Sequence, residues 1–236
     1  MNKTFVKTKN VKSFISLMSN IKSCPENIPR MALVYGEPGL GKTQTILWWV
    51  TNNDAIYVRC NHLMSGRWLL SEIAEELDEI PYYNSADLFK QIETKLKQEP
   101  KVIVVDEIDY LLSNANAIET LRDLHDRTNV PVVLVGMAKA NLKLMRYKPL
   151  YDRLYDKLKF EYFTKNDIKE IIEALCEVKF TDCAIDYIFS LTNQFRPLVK
   201  IINKVEKIAK TNELKEFNAE ILKGVLADEA KNTKTR

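Results

Sequence analysis

The chain has 236 residues, 46% of them apolar and 28% charged, enough for one large or two small domains with a real core. Six glycines and eight prolines argue against a loop-rich or disordered chain, and a net charge of +3 permits nucleic-acid binding without requiring it. No apolar run approaches the roughly twenty residues of a membrane span, and Cys24, Cys60, Cys176 and Cys183 form no C-x-x-C pair, so reduced, mostly buried thiols in a cytosolic protein are expected.

Residues 1–29 read as an N-terminal lead-in. Its start is basic but no apolar stretch follows, so no secretory signal is expected. Val11, Phe14, Ile15, Met18 and Ile21 recur at helical spacing and predict an amphipathic helix from Lys12 to Asn20. Its apolar face packs on the following domain or serves a partner. There is no room before Met31 for a separate helix-turn-helix domain.

From residue 30 to 163 strand and helix alternate. Strands are expected at Met31–Tyr35, Ala55–Cys60, Lys101–Asp106, Pro131–Gly136 and, as an edge strand, Lys157–Phe163. Helices are expected after Gly41, around Trp68–Leu77, at Asp87–Gln98 and at Ala117–Thr128, with two short helical stretches before the last strand. Such βα repeats build a parallel sheet with helices on both faces. From 164 to 229 the pattern is helical only, with helices near 165–177, 182–192, 196–210 and 218–228 and no strand; this is a small all-helical domain. Residues 230–236 form a basic tail that is frayed or touches nucleic-acid phosphates.

The chemistry centres on Gly36-Glu37-Pro38-Gly39-Leu40-Gly41-Lys42-Thr43, followed by Gln44, a G-x-x-x-x-G-K-[ST] pattern between a strand and a helix. Glycines let backbone N–H groups wrap a polyphosphate, and the helix N-terminus adds partial positive charge at the same point. Lys42 reaches the β- and γ-phosphates of ATP, and Thr43 offers its hydroxyl to Mg²⁺. Asp106 and Glu107 end an apolar strand, where an aspartate holds Mg²⁺ and the neighbouring glutamate polarises the attacking water. Asp109 reads as a supporting or helix-capping residue.

Gly36–Thr43, Val102–Asp109, the glycine-ended fourth strand and the four-helix lid together resemble the AAA+ ATPases, over roughly Pro29 to Asp228. The resemblance implies a P-loop AAA+ parallel sheet followed by a helical lid, and subunits that share sites in rings or filaments. It implies that Arg153, just before the fifth strand, is an arginine finger acting in trans, with Arg146 as substitute; the alternative for Arg153 is a surface arginine paired to a carboxylate. It further implies that Arg196 is a sensor-2 arginine of the lid, with Pro197 in the first turn after it. Met137 stands near the place where the family has a polar sensor-1 residue, while Lys139 and Asn141 lie off it, so slow or partner-stimulated hydrolysis is expected.

The wording of the core, in Gly36–Thr43, Val105–Leu111, Val130–Met137 and Tyr151–Leu154, is similar to the Mu B-type target-selecting ATPases of transposing phages and related transposons. That resemblance implies ATP-dependent assembly into filaments or rings on duplex DNA without marked sequence preference, and activation of a DDE transposase. DNA contacts would then come from Arg59, His62, Arg67 and Lys139, with Lys143 and Lys148 behind them, unless these belong to a solvated loop. The alternative is a helicase loader or replication initiator; a nucleotide switch with no DNA role is a third reading.

Overall fold

The computed structural model describes residues 4–25, 27–212, 214 and 216–232, with side chains to residue 225. The chain divides into two compact units. One comprises residues 13–38 and 42–160; the other comprises 1–12, 39–41 and 161–236.

The first unit is a five-stranded parallel sheet in the order β2-β3-β4-β1-β5. Its strands are β1 (Met31–Gly36), β2 (Ile56–Arg59), β3 (Ile103–Asp106), β4 (Val132–Met137) and β5 (Leu154–Phe160). The helices between them are α2 (Lys42–Thr51), α3 (Gly66–Glu75), α4 (Ser85–Gln98), α5 (Ala115–Thr128), α6 (Ala140–Leu144) and α7 (Lys148–Tyr151). The central strands are continuous apolar runs because both faces of the sheet are covered: Ile103, Val104, Val105, Val132, Val133, Leu134 and Val135 are all fully buried. At the outer strand β2 the pattern becomes an alternation, with Ile56 and Val58 buried while Tyr57 and Arg59 turn to the other face. In register, Tyr57 lies beside Val104 and Arg59 beside Asp106.

Helix α1 (Lys9–Ser23) is longer than the periodicity predicted and runs across the division between the units. In the first unit its Phe14 meets the Trp49 ring edge-on, centroids 6.0 Å apart. Strand β5 starts and ends three residues before its expected place. Gly36 pairs with Phe160, so β1 has ended by residue 161 and nothing remains there for the chain to pair with.

The second unit holds α8 (Lys165–Leu175), α9 (Asp182–Leu191), α10 (Phe195–Asn212) and α11 (Ala219–Asn232). Ile168, Ile172, Ile188, Leu198, Ile202 and Phe217 form the centre of its own core. Helix α8 begins with a capping box: the Thr164 hydroxyl accepts from the Asp167 N–H, and the Asp167 carboxylate accepts from the Thr164 N–H. The expectation of a strand-free helical part is corrected here. β6 (Lys179–Phe180) and β7 (Glu216–Phe217) pair in parallel, and the Phe180 and Phe217 rings stack 5.7 Å apart. Two-residue strands are too short to carry a readable alternation. Of the basic tail, residues up to Asn232 lie in α11 and 233–236 are outside the described residues.

Candidate functional site

The stretch after β1 turns through Gly39 and Gly41, whose φ angles are +82° and +86°. L side chains are strained in that region, which is why glycine stands at both places. Helix α2 then starts at Lys42. The Lys42 ammonium folds back onto the loop, donating to the carbonyls of Gly36 at 2.8 Å and Glu37 at 2.9 Å. Burial holds its pKa below the ordinary lysine value, while Asp106, Asp109 and Glu37 pull the other way. A desolvated ammonium resting on two neutral carbonyls is well placed to gain from an anion.

Parallel pairing carries the carboxyl ends of β1 and β3 to the same edge of the sheet, and there Thr43 meets Asp106. The Thr43 hydroxyl donates to Asp106 Oδ2 at 2.8 Å. Asp106 is only 2% exposed. Its buried charge is met by two further donors, the Glu107 N–H on Oδ1 at 2.8 Å and the Tyr57 phenol on Oδ2 at 3.1 Å. Burial, and then the Asp106 carboxylate, push the Tyr57 phenol far above the ordinary tyrosine value, so it stays a donor. Cys60 is pushed up to about 12 by burial, with Asp106 and Glu107 adding to the effect, so its thiol is unreactive at neutral pH.

Glu107 takes the left-handed backbone conformation, φ 55° and ψ 40°, in the sharp passage from β3 to a 3₁₀ turn at Ile108–Tyr110. A non-glycine residue there marks a position held by its surroundings for a reason. Its carboxylate accepts from the Arg59 guanidinium at 2.6 Å, a pair set up by the β2–β3 register. Arg59, Cys60, Asn61, His62, Glu107 and Tyr110 line an open hollow of about 580 Å³. Asp109 does a different job: its Oδ2 accepts the Met137 N–H at 2.6 Å and so ties the end of β4 to the turn after β3. The Met137 side chain is half exposed, and Asn141 accepts from the Tyr151 hydroxyl at 3.3 Å.

The remaining sequence-derived candidates lie elsewhere. Arg67, on the first turn of α3, donates to the carbonyls of Tyr82 and Tyr83, at 3.3 and 2.7 Å from Nη2, and lies over the Tyr83 ring. His62 and Lys139 are exposed. Arg153 sits immediately before β5, whose first residue pairs with Met31, so it is at the amino edge of the sheet while Thr43 and Asp106 are at the carboxyl edge. Its guanidinium grips both carboxylate oxygens of Asp126, the shortest contact 2.8 Å. In the second unit, which includes Gly39–Gly41, the N–H groups of Phe195 and Arg196 both donate to the Gly39 carbonyl, at 2.8 and 3.3 Å. Sequence reading missed Tyr57 and Asp126. The alternation of β2 was the available signal for Tyr57; nothing local pointed to Asp126.

A hydroxyl and a carboxylate are hard oxygen donors of the kind Mg²⁺ prefers. Among the described residues no group of three or more His, Cys, Asp or Glu side chains could hold a metal alone. That donor set fits an Mg²⁺ bound jointly by protein and substrate phosphates.

Residues 28–144 match the family model described as an AAA domain. Over 94% of its length the whole chain is 24% identical to a potential ATP-binding protein of Staphylococcus aureus, spanning 94% of that relative. Over 76% of its length it is 24% identical to the replication factor C large subunit of Thermofilum pendens, of which it spans 41%. Among solved structures it is similar to the ORC2 protein of Aeropyrum pernix in ADPNP–ADP complexes, with a TM-score of 0.74 at 14% identity over 96% of this chain and 70% of that one. It is also similar to the ORC1 protein of the same organism in complex with DNA, with a TM-score of 0.66 at 16% identity over 96% of this chain and 66% of that one. At such identities the likeness speaks for the fold: a parallel sheet with flanking helices, and helices after it. No described helix is long and apolar enough to cross a membrane.

Proposed function

We propose that the chain is an ATPase whose nucleotide state controls its assembly on duplex DNA, of the replication-initiator or helicase-loader kind. The observation that carries the ATPase reading is the meeting of Thr43 with the buried Asp106 at 2.8 Å, one residue from Glu107 and next to the loop that ends in Lys42. The replication reading is supported by the similarity to replication factor C and ORC proteins. It is preferred for that reason to the transposition reading, which has the wording of the sequence motifs in its favour and a DDE transposase as its partner.

In this reading residues 36–44 wrap the phosphates and Lys42 exchanges its two carbonyl partners for phosphate oxygens. Thr43 and Asp106 hold Mg²⁺, which supplies charge neutralisation at the phosphates. Glu107 accepts the proton of the attacking water, and for that its ion pair with Arg59 has to open. Arg196 couples the helical part to the bound nucleotide. Arg153 acts on the site of a neighbouring subunit, since it lies at the opposite edge of the sheet from Asp106. Arg59, His62, Arg67 and Lys139 are the DNA contacts proposed, of which Arg59 and Arg67 first have to leave Glu107 and the Tyr82–Tyr83 carbonyls. The test is binding to labelled duplex DNA with ATP, with ADP and without nucleotide, followed by capture with a replicative helicase and with a DDE transposase. ATP-dependent DNA binding with helicase capture supports the proposal. Transposase capture alone transfers it to the transposition reading, and absence of DNA binding at low salt in every nucleotide state overturns both.

A further inference from the structure

We propose that Tyr57 is a positioning residue for Asp106, holding the carboxylate in the orientation in which it meets Mg²⁺. This rests on the reading above that Thr43 and Asp106 hold the metal. The observations come from three elements. Strand β2 turns Tyr57 to the same face of the sheet as Asp106, since Tyr57 lies beside Val104 and Arg59 beside Asp106. Asp106 is two residues further along, about 7 Å at strand spacing. A phenol spans that rise where no shorter hydroxyl side chain would, and its O–H ends 3.1 Å from Asp106 Oδ2. The same oxygen takes the Thr43 hydroxyl from α2, and Oδ1 takes the Glu107 N–H.

These donors differ in what they are free to do. The Glu107 N–H is fixed by the backbone. The Thr43 hydroxyl is itself a proposed metal ligand, so its geometry has to answer to two partners. Among the described residues the Tyr57 hydroxyl meets Asp106 and no second acceptor, so its geometry answers to that carboxylate. Groups that hold a metal-binding side chain from behind set its orientation, and their removal costs metal affinity about tenfold or more.

The experiment measures binding of a fluorescent ATP analogue to the full chain, once in EDTA and once across an Mg²⁺ titration, for the parent protein, Tyr57→Phe and Asp106→Asn. The phenylalanine keeps the ring and removes only the donor. The expected result for Tyr57→Phe is unchanged affinity in EDTA and an Mg²⁺ midpoint raised about tenfold. An unchanged midpoint in Tyr57→Phe with a raised one in Asp106→Asn overturns the role of Tyr57 and leaves the metal reading standing. Unchanged midpoints in both variants overturn the metal reading and the proposal with it. Loss of binding in EDTA as well would make Tyr57 a structural residue of the nucleotide loop and also overturn the proposal.

Discussion

In the proposed reaction Lys42 and Glu107 bear on different steps, and single substitutions separate them. Lys42→Ala removes the cation proposed to meet the phosphates, so ATP binding and any ATP-dependent DNA binding should be lost together in an equilibrium binding assay. Glu107→Gln keeps size and hydrogen bonding but removes the proposed base. ATP binding should persist while turnover falls by a factor on the order of 10² to 10⁴; turnover at the parent rate would remove Glu107 from that role. His125 gives a pH test. Its Nε2 accepts from the Arg30 N–H at 3.3 Å, which places the proton on Nδ1, 2.9 Å from the Val130 carbonyl. Burial holds its pKa below the ordinary value; the Val130 bond and Asp126 oppose this, and Arg30 and Arg153 reinforce it. The folded chain therefore takes up this proton less readily than the unfolded one. The stabilising contribution is complete above the unfolded value of about 6.5 and is lost as pH falls through the lower folded value. The melting temperature should decline below about pH 6.5, and His125→Asn should flatten that part of the profile.

Among the elements, α8 shows how local chemistry fixes a boundary. Thr164-Lys165-Asn166-Asp167 was legible as a helix start because the cap and its reciprocal acidic residue are three apart, and the capping box forms there. Asp167 does more than the spacing reveals, since it also accepts the Lys9 N–H at 2.9 Å, 158 residues away. Burial pushes its carboxyl up, but the hydrogen bonds from Lys9 and Thr164 outweigh this and leave it below the usual range. Thr164→Ala should cost about 1 kcal/mol in urea denaturation, and Asp167→Ala should cost more because it also abandons the Lys9 N–H. The same contrast explains what could be read in advance. Buried central strands such as Val102–Asp106 announce themselves by composition, and the P-loop and Asp106–Glu107 by motif. The limits of β5 depend on where β1 stops, the β6–β7 pair on contacts 37 residues apart, and the Asp126–Arg153 pair on 27 residues of separation. None of these is a local property of sequence.

For the molecule as a whole, the sharpest test concerns Arg153. Within one chain it is held by Asp126 at the edge of the sheet opposite Asp106. If it completes a neighbour's site, Arg153→Ala should leave ATP binding by dilute protein unchanged while abolishing the rise in hydrolysis per chain as protein concentration increases. A rise that persists would return Arg153 to a structural pairing with Asp126. DNA binding through a few phosphate contacts should weaken steeply with salt, log affinity falling linearly with log salt concentration. The separation of Arg153 from Asp106 also carries a directional consequence. Subunits that join amino edge to carboxyl edge join head to tail, and such contacts close into a ring or grow as a helix. In an open assembly the two ends are then unlike: one presents a nucleotide site with no visiting arginine, the other an arginine with nothing to visit. If the chain assembles on DNA as proposed, the subunits at the two ends would turn over ATP at different rates, and the array would have a direction along the duplex.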